Sequence, residues 1–64
     1  MIVNGEFRQL GENDTLRSFL ECEGYDISIV AVERNGNIVP RSQLDVEKLS
    51  DDDRLEIITF VGGG

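Results

Sequence analysis

Sixty-four residues carrying six Lys and Arg against thirteen Asp and Glu, a formal charge of −7, make one small acidic domain, too short for a deep pocket and of the wrong sign for a phosphate backbone or an anionic membrane. No His and a single Cys leave no Cys-His or Ser-His pair and no Cys/His zinc cluster, so enzymatic activity in isolation is not expected. No apolar run is long enough to span a bilayer and no basic segment followed by an apolar one opens the chain; the expectation is a cytoplasmic protein whose acidity suits partners with a basic docking surface.

Met1-Ile2-Val3 reads as a short strand, Asn4-Gly5 as the dipeptide that accepts the positive φ angles of a two-residue turn, and Glu6 to Leu10 as the returning strand. After the polar loop Gly11-Glu12-Asn13, Asp14 or Thr15 can cap a helix on which Leu16, Phe19 and Leu20 fall at i, i+3 and i+4, and Gly24 can end it in the left-handed conformation. Cys22, late in that helix, has no second thiol and reads as a half-buried small apolar residue. Ile27 to Arg34 reads as a strand. Its run Ile29-Val30-Ala31-Val32 is apolar on both phases, the pattern of an inner strand covered on two sides.

Asn35-Gly36 predicts a second tight turn, and Asn37-Ile38-Val39 a brief pairing before Pro40, which lacks an N–H to continue it. Ser42 to Leu49 reads as an irregular or 3₁₀ segment and Ser50 to Asp53 as a turn. Asp51-Asp52-Asp53 lacks the spaced oxygens, the Gly and the closing Glu of a calcium loop, and is expected to be solvated. Arg54 to Val61 forms the last strand, with Leu55, Ile57, Thr59 and Val61 on one face and Glu56, Ile58 and Phe60 on the other.

One helix can cover only one face of a sheet of four or five strands, so the fold class is α+β with a face left open. If Leu55 and Ile57 pack on the helix, Ile58 and Phe60 stand on the open face. There they form a docking surface, or else a loop such as Ser42 to Leu49 folds over them. Gly62-Gly63-Gly64 cannot continue the strand, because three glycines lose too much conformational entropy. They make a thread thin enough for a channel that excludes side chains, with the terminal carboxylate as a reactive handle; a frayed end or an expression scar fits the tail alone equally well.

Several blocks together resemble the ThiS family, the ubiquitin-like β-grasp sulfur carriers of bacterial thiamin biosynthesis. They are Met1-Ile2-Val3-Asn4-Gly5-Glu6, Asp14-Thr15-Leu16, the stretch from Val30 to Arg41, Asp53-Arg54-Leu55-Glu56-Ile57, and Phe60-Val61-Gly62-Gly63-Gly64. The resemblance covers nearly the whole chain and departs at Asp51-Asp52-Asp53, where the family often has Asp-Gly-Asp. It implies a β-grasp domain over residues 1–61, a mixed four- to five-stranded sheet with one main helix on one face, and a flexible tail at residues 62–64.

It also implies a mechanism in which no residue of the chain is catalytic and the chain binds no metal or cofactor of its own. An adenylating enzyme of the ThiF type, using ATP and Mg²⁺, would activate the Gly64 carboxylate, and sulfide from a persulfide would displace AMP to leave a thiocarboxylate. A thiazole synthase of the ThiG type would then take up the sulfur. Gly62 and Gly63 would thread the partner's channel, Ile58 and Phe60 would dock the head, and the free carrier would be a monomer. Three other readings keep a place beside this one. A molybdopterin-type carrier uses the same chemistry but is usually longer, a ubiquitin-like modifier would leave isopeptide adducts on lysines, and a plain interaction module would tolerate loss of the tail.

Overall fold

The computed structural model describes residues 1–60; Val61 to Gly64, and with them the expected end of the last strand and the glycine tail, lie outside the described residues. Two Asn-Gly turns set the strand pairing. Asn4 and Gly5 take φ of 51° and 82°, the mirror-image geometry that matches strand twist, and fold Ile2–Val3 (β1) back onto Glu6–Phe7 (β2). Asn35 and Gly36, at 52° and 86°, do the same between Val30–Arg34 (β3) and Asn37–Ile38 (β4). The last strand, Arg54–Thr59 (β5), enters between the hairpins, parallel to β1 and antiparallel to β3, which gives the mixed order β2-β1-β5-β3-β4.

Asn4 extends this pairing with its side chain. Its Nδ2 donates to the Ile57 carbonyl at 3.2 Å and its Oδ1 accepts the Ile57 N–H at 2.7 Å. The amide thus stands in for one more residue of β1 at the point where the backbone turns away. The second strand is shorter than its sequence predicts: after Arg8 N–H bonds to the Met1 carbonyl at 2.9 Å, β1 offers Gln9 and Leu10 no further partner.

Leu16–Cys22 (α1) lies across one face of the sheet. Of the two candidate caps, Thr15 is used: its Oγ1 accepts the Ser18 N–H at 3.2 Å while Ser18 Oγ accepts the Thr15 N–H at 3.3 Å, a reciprocal capping box. Gly24, at φ 89°, ends the helix as a left-handed residue should. Leu16, Phe19 and Leu20 are fully buried against Val30, Val32, Leu55 and Ile57. Cys22 is exposed rather than half-buried, because it sits about 200° round the helix from Leu20, away from the apolar stripe.

The segment after Pro40 closes the end of this core. A 3₁₀ turn at Arg41–Gln43 leads to buried Leu44, and the carbonyls of Glu47 and Leu44 accept the N–H groups of Leu16 and Arg17 at 2.8 and 2.9 Å. These are helix-start donors that have no partner within the helix. The segment therefore packs at the helix and does not fold over the opposite face. Two further expectations are corrected. Ile27–Ile29 is a 3₁₀ turn and not strand, because Asp26 caps it, its Oδ1 accepting the Ser28 N–H at 3.0 Å. And β3 is covered on one face only: Val30 and Val32 are buried, while Ala31 is half-buried on the open side.

Asp53 is a further correction. Asp51 and Asp52 are exposed as a solvated turn should be, but the Asp53 side chain is 6% exposed. Its carboxylate accepts from Arg34 Nε at 2.9 Å, Asn35 Nδ2 at 3.0 Å and Ser50 N–H at 2.8 Å, latching the β3–β4 turn to the turn that enters β5. Burial alone would raise its pKa, but the hydrogen bonds from Asn35, Ser50 and Arg34 outweigh it and hold the carboxyl below the usual range.

A pKa lower in the folded chain than the unfolded value of about 3.9 means that the stabilisation is complete above that pH and is lost as pH falls through the folded pKa. Asp53→Asn should therefore melt below the parent at neutral pH, with the gap closing under about pH 3.9. A gap that stays constant down to about pH 2 in thermal melts would remove the carboxylate charge from this account.

Candidate functional site

The alternation of β5 sorts its side chains cleanly. Leu55 and Ile57 point into the core, and Ile58 and Phe60 stand on the far side of the sheet, 53% and 57% exposed. The register extends the patch across neighbouring strands: Ala31 lies opposite Ile58, and Ile38 lies opposite Glu33, which itself faces Glu56. Ile2 and Phe7 occupy the same face toward the β2 edge. Phe7, Ile38, Ile58 and Phe60 are all exposed large apolar groups, more than scattered surface residues on so small a face would supply.

Within this apolar field Glu33 and Glu56 sit directly across from each other. Like charges opposed on a sheet are destabilising, and neither carboxylate makes an ion pair among the described residues. Glu56 is visible in the sequence as a neighbour of Ile58, but its opposition to Glu33 depends on the register between strands more than twenty residues apart, which no local signal reveals.

At the end of the patch lies Phe60, the last described residue. Phe60 N–H donates to the Ile29 carbonyl at 2.7 Å, one step beyond the last paired residues, Val30 and Thr59. Beside it a groove of about 220 Å³ is lined by Val30, Ala31, Val39, Pro40, Leu44 and Phe60, with Arg41 at its rim. Arg41 donates from Nη1 to the Val30 carbonyl at 2.9 Å and from Nη2 to the Ile27 carbonyl; sequence reasoning gave this residue no role. A larger polar depression of about 500 Å³ lies at the opposite edge, between Phe7, Arg8, Gln9 and Asp51.

Ile58 and Phe60 are thus brought together on one exposed face, while Gly62, Gly63 and Gly64 lie outside the described residues. Among the described residues no group of three or more His, Cys, Asp or Glu side chains is placed to hold a metal ion, and no helix is long and apolar enough to cross a membrane.

The profile of the ThiS family matches residues 1–64. The chain is 42% identical over 64 residues to a thiazole synthase of Paramagnetospirillum magneticum, a match covering 100% of this chain and 20% of that protein. It spans about a fifth of the length of the thiazole synthases it resembles. It is 36% identical over 53 residues to the sulfur carrier protein ThiS of Bacillus subtilis, covering 83% of this chain and 80% of that one. The crystal structure of the thiamine biosynthesis protein ThiS from Geobacter metallireducens superposes with a TM-score of 0.78 at 27% identity, over 98% of this chain and 96% of that one. The mixed five-stranded sheet with its single helix is accordingly a β-grasp fold, and the chain belongs to the ThiS family.

Proposed function

We propose that the chain is a sulfur carrier of thiamin biosynthesis, with the Gly64 carboxylate as the group that is chemically changed. The observation that carries this reading is the match to the ThiS family over residues 1–64, which includes the glycine run. A carboxylate oxygen is a poor leaving group, so a partner adenylating enzyme joins the carboxylate to AMP, using ATP and Mg²⁺ and releasing pyrophosphate. The terminal sulfur of a partner's persulfide then attacks the acyl carbon, the C–O bond to phosphate breaks and AMP departs with the electron pair, leaving an acyl disulfide. A thiol attacks the inner sulfur of that disulfide, the S–S bond breaks, a new disulfide carries away the oxidised thiol, and the thiocarboxylate is released. The carrier contributes no acid, base or metal to these steps. Gly62 and Gly63 let the end of the chain enter a narrow channel, since glycine has no Cβ to obstruct it.

The head docks through the open sheet face. Ile58 and Phe60 supply the apolar contact and Phe60 the aromatic anchor, a residue type enriched at the centre of interfaces. The opposed carboxylates of Glu33 and Glu56 favour a partner that brings a basic group to the same face, which would relieve their mutual repulsion. The second partner is a thiazole synthase, and its support is specific: relatives named thiazole synthase contain a segment 42% and 37% identical to this chain, so a carrier-like domain there shares a polypeptide with the rest of the synthase. The free carrier works as a monomer in the cytoplasm.

Intact mass spectrometry of the protein from its own cell tests the reading. The expected species is heavier by the difference between a sulfur and an oxygen atom, with the change mapped to Gly64. A population without that species in cells actively making thiamin would overturn it, and adducts linking Gly64 to lysines would point to a protein modifier instead.

A further inference from the structure

The ladder between β3 and β5 extends past its paired strands in an unusual way. Its last bond among the described residues, from Phe60 N–H to the Ile29 carbonyl at 2.7 Å, is accepted by a residue of a 3₁₀ turn, not of a strand. Such a turn has poorer hydrogen-bond geometry than an α-helix and is short-lived in isolation, so its carbonyls need something to fix them. One end is held by the Asp26 cap, which takes both the Ser28 N–H and the Ser28 hydroxyl, at 3.0 and 2.7 Å. Arg41 spans the turn, its guanidinium bonding the carbonyl of Ile27, the first residue, and that of Val30, just past the last, one on each side of Ile29.

Arg41 is itself anchored. It follows Pro40, held at φ −61°, and its carbonyl accepts the N–H of buried Leu44 at 3.2 Å. Its use of charge differs from that of three other arginines in a chain with thirteen Asp and Glu. Arg8, Arg17 and Arg34 each pair with carboxylates, whereas Arg41 makes no ion pair among the described residues and spends its fork on main-chain oxygens. Two carbonyls bridged by one planar group require that fork; a lysine presents a single point of charge and cannot reproduce the bridge.

We infer that Arg41 is a positioning residue for the chain that leads to Gly64: by clamping the carbonyls of Ile27 and Val30, on either side of Ile29, it fixes the carbonyl that holds Phe60 on the ladder. Phe60 is four residues before Gly64, and a reacting group must be held close to its productive geometry, since a displacement of about 1 Å far from the chemistry can cost about a hundredfold. The link from position to rate rests on the sulfur-carrier reading; the link from Arg41 to Phe60 does not.

The test uses Arg41→Met, which keeps an apolar stem and removes the fork, and Arg41→Lys, which keeps the charge. Amide hydrogen exchange at Phe60 is compared with Val39 and Ile57, and adenylate formation is followed with the purified adenylating enzyme. In Arg41→Met, protection at Phe60 should fall about tenfold or more with Val39 and Ile57 unchanged, since local openings are independent of global unfolding. Adenylation kcat/KM should fall about tenfold. Arg41→Lys should restore neither.

Unchanged protection at Phe60 overturns the inference, and so does an equal loss at all three amides, which would mark a general loss of stability. Lost protection at Phe60 with normal adenylation overturns it too, since the position of Phe60 would then not matter to the reacting carboxylate. If the parent protein is not adenylated at all, it is the sulfur-carrier reading that falls, and the exchange data still decide whether Arg41 holds Phe60.

Discussion

Leu55→Ala should leave the domain substantially unfolded at physiological temperature, while Phe60→Ala, five residues further on, should leave it folded and unable to bind tightly. Leu55 is completely buried on the central strand, packed in the cluster that contains Leu16, Phe19 and Leu20. Truncating a buried Leu costs about 2–5 kcal/mol through lost transfer energy and a residual cavity, against about 3–5 kcal/mol that a core of this size supplies. Ile57→Ala should behave in the same way, since Ile57 shares the inward face.

Phe60 is more than half exposed, so its ring contributes little to the core. As an interface anchor its loss should weaken association with the adenylating enzyme by about 2 kcal/mol or more. Thermal melts and titration calorimetry on the three variants separate the faces. A Phe60→Ala protein that unfolds, or an Ile57→Ala protein that stays folded and only loses binding, would reverse the assignment of the two faces of β5.

What could be read from the residues alone was whatever short-range chemistry decides. Asn4-Gly5 and Asn35-Gly36 fix their turns because only a few residue types accept two successive positive φ angles, and each turn then dictates the hairpin beside it. The helix stripe and the alternation of β5 follow from periodicity. The failures share a cause, which is competition from side chains distant in sequence or from local caps. Ile27 to Ile29 looks like strand by composition, yet the Asp26 carboxylate takes the Ser28 N–H and the Asp26 carbonyl takes the Ile29 N–H.

The double-phase apolar run in β3 was misread as two-sided burial, because an exposed binding face and a buried one leave the same hydrophobic signature. Asp53 looked like one of three equivalent solvated acids. Only Arg34 and Asn35, brought over by the β3–β5 pairing, set it apart. Glu33 and Arg41 escaped notice for a related reason. Each acts on groups that a non-local register or a turn places nearby, and no residue-by-residue pattern encodes that.

Removing Gly64 should abolish adenylate formation, and with it the thiocarboxylate, while leaving the melting temperature nearly where it was. The buried cluster among the described residues runs from Met1 to Ile57, so the fold should not depend on the last residue. With Gly64 as the terminus, its deletion withdraws the carboxylate by roughly 3.5 Å along an extended chain. That distance greatly exceeds the misplacement of about 1 Å that already costs a hundredfold in an oriented reaction. The open sheet face is untouched by the deletion, so the shortened protein should still occupy the adenylating enzyme and inhibit the parent competitively. Gly63→Val should also fail to react but for a different reason, because its branched side chain obstructs the channel, and it should compete less well if the tail must enter before the head seats. Measuring adenylate formation, competition and melting temperature on the same samples separates loss of chemistry from loss of docking and from loss of fold. Normal thiocarboxylate formation by the shortened chain would remove Gly64 from the mechanism and leave the open face as a binding surface for some other purpose.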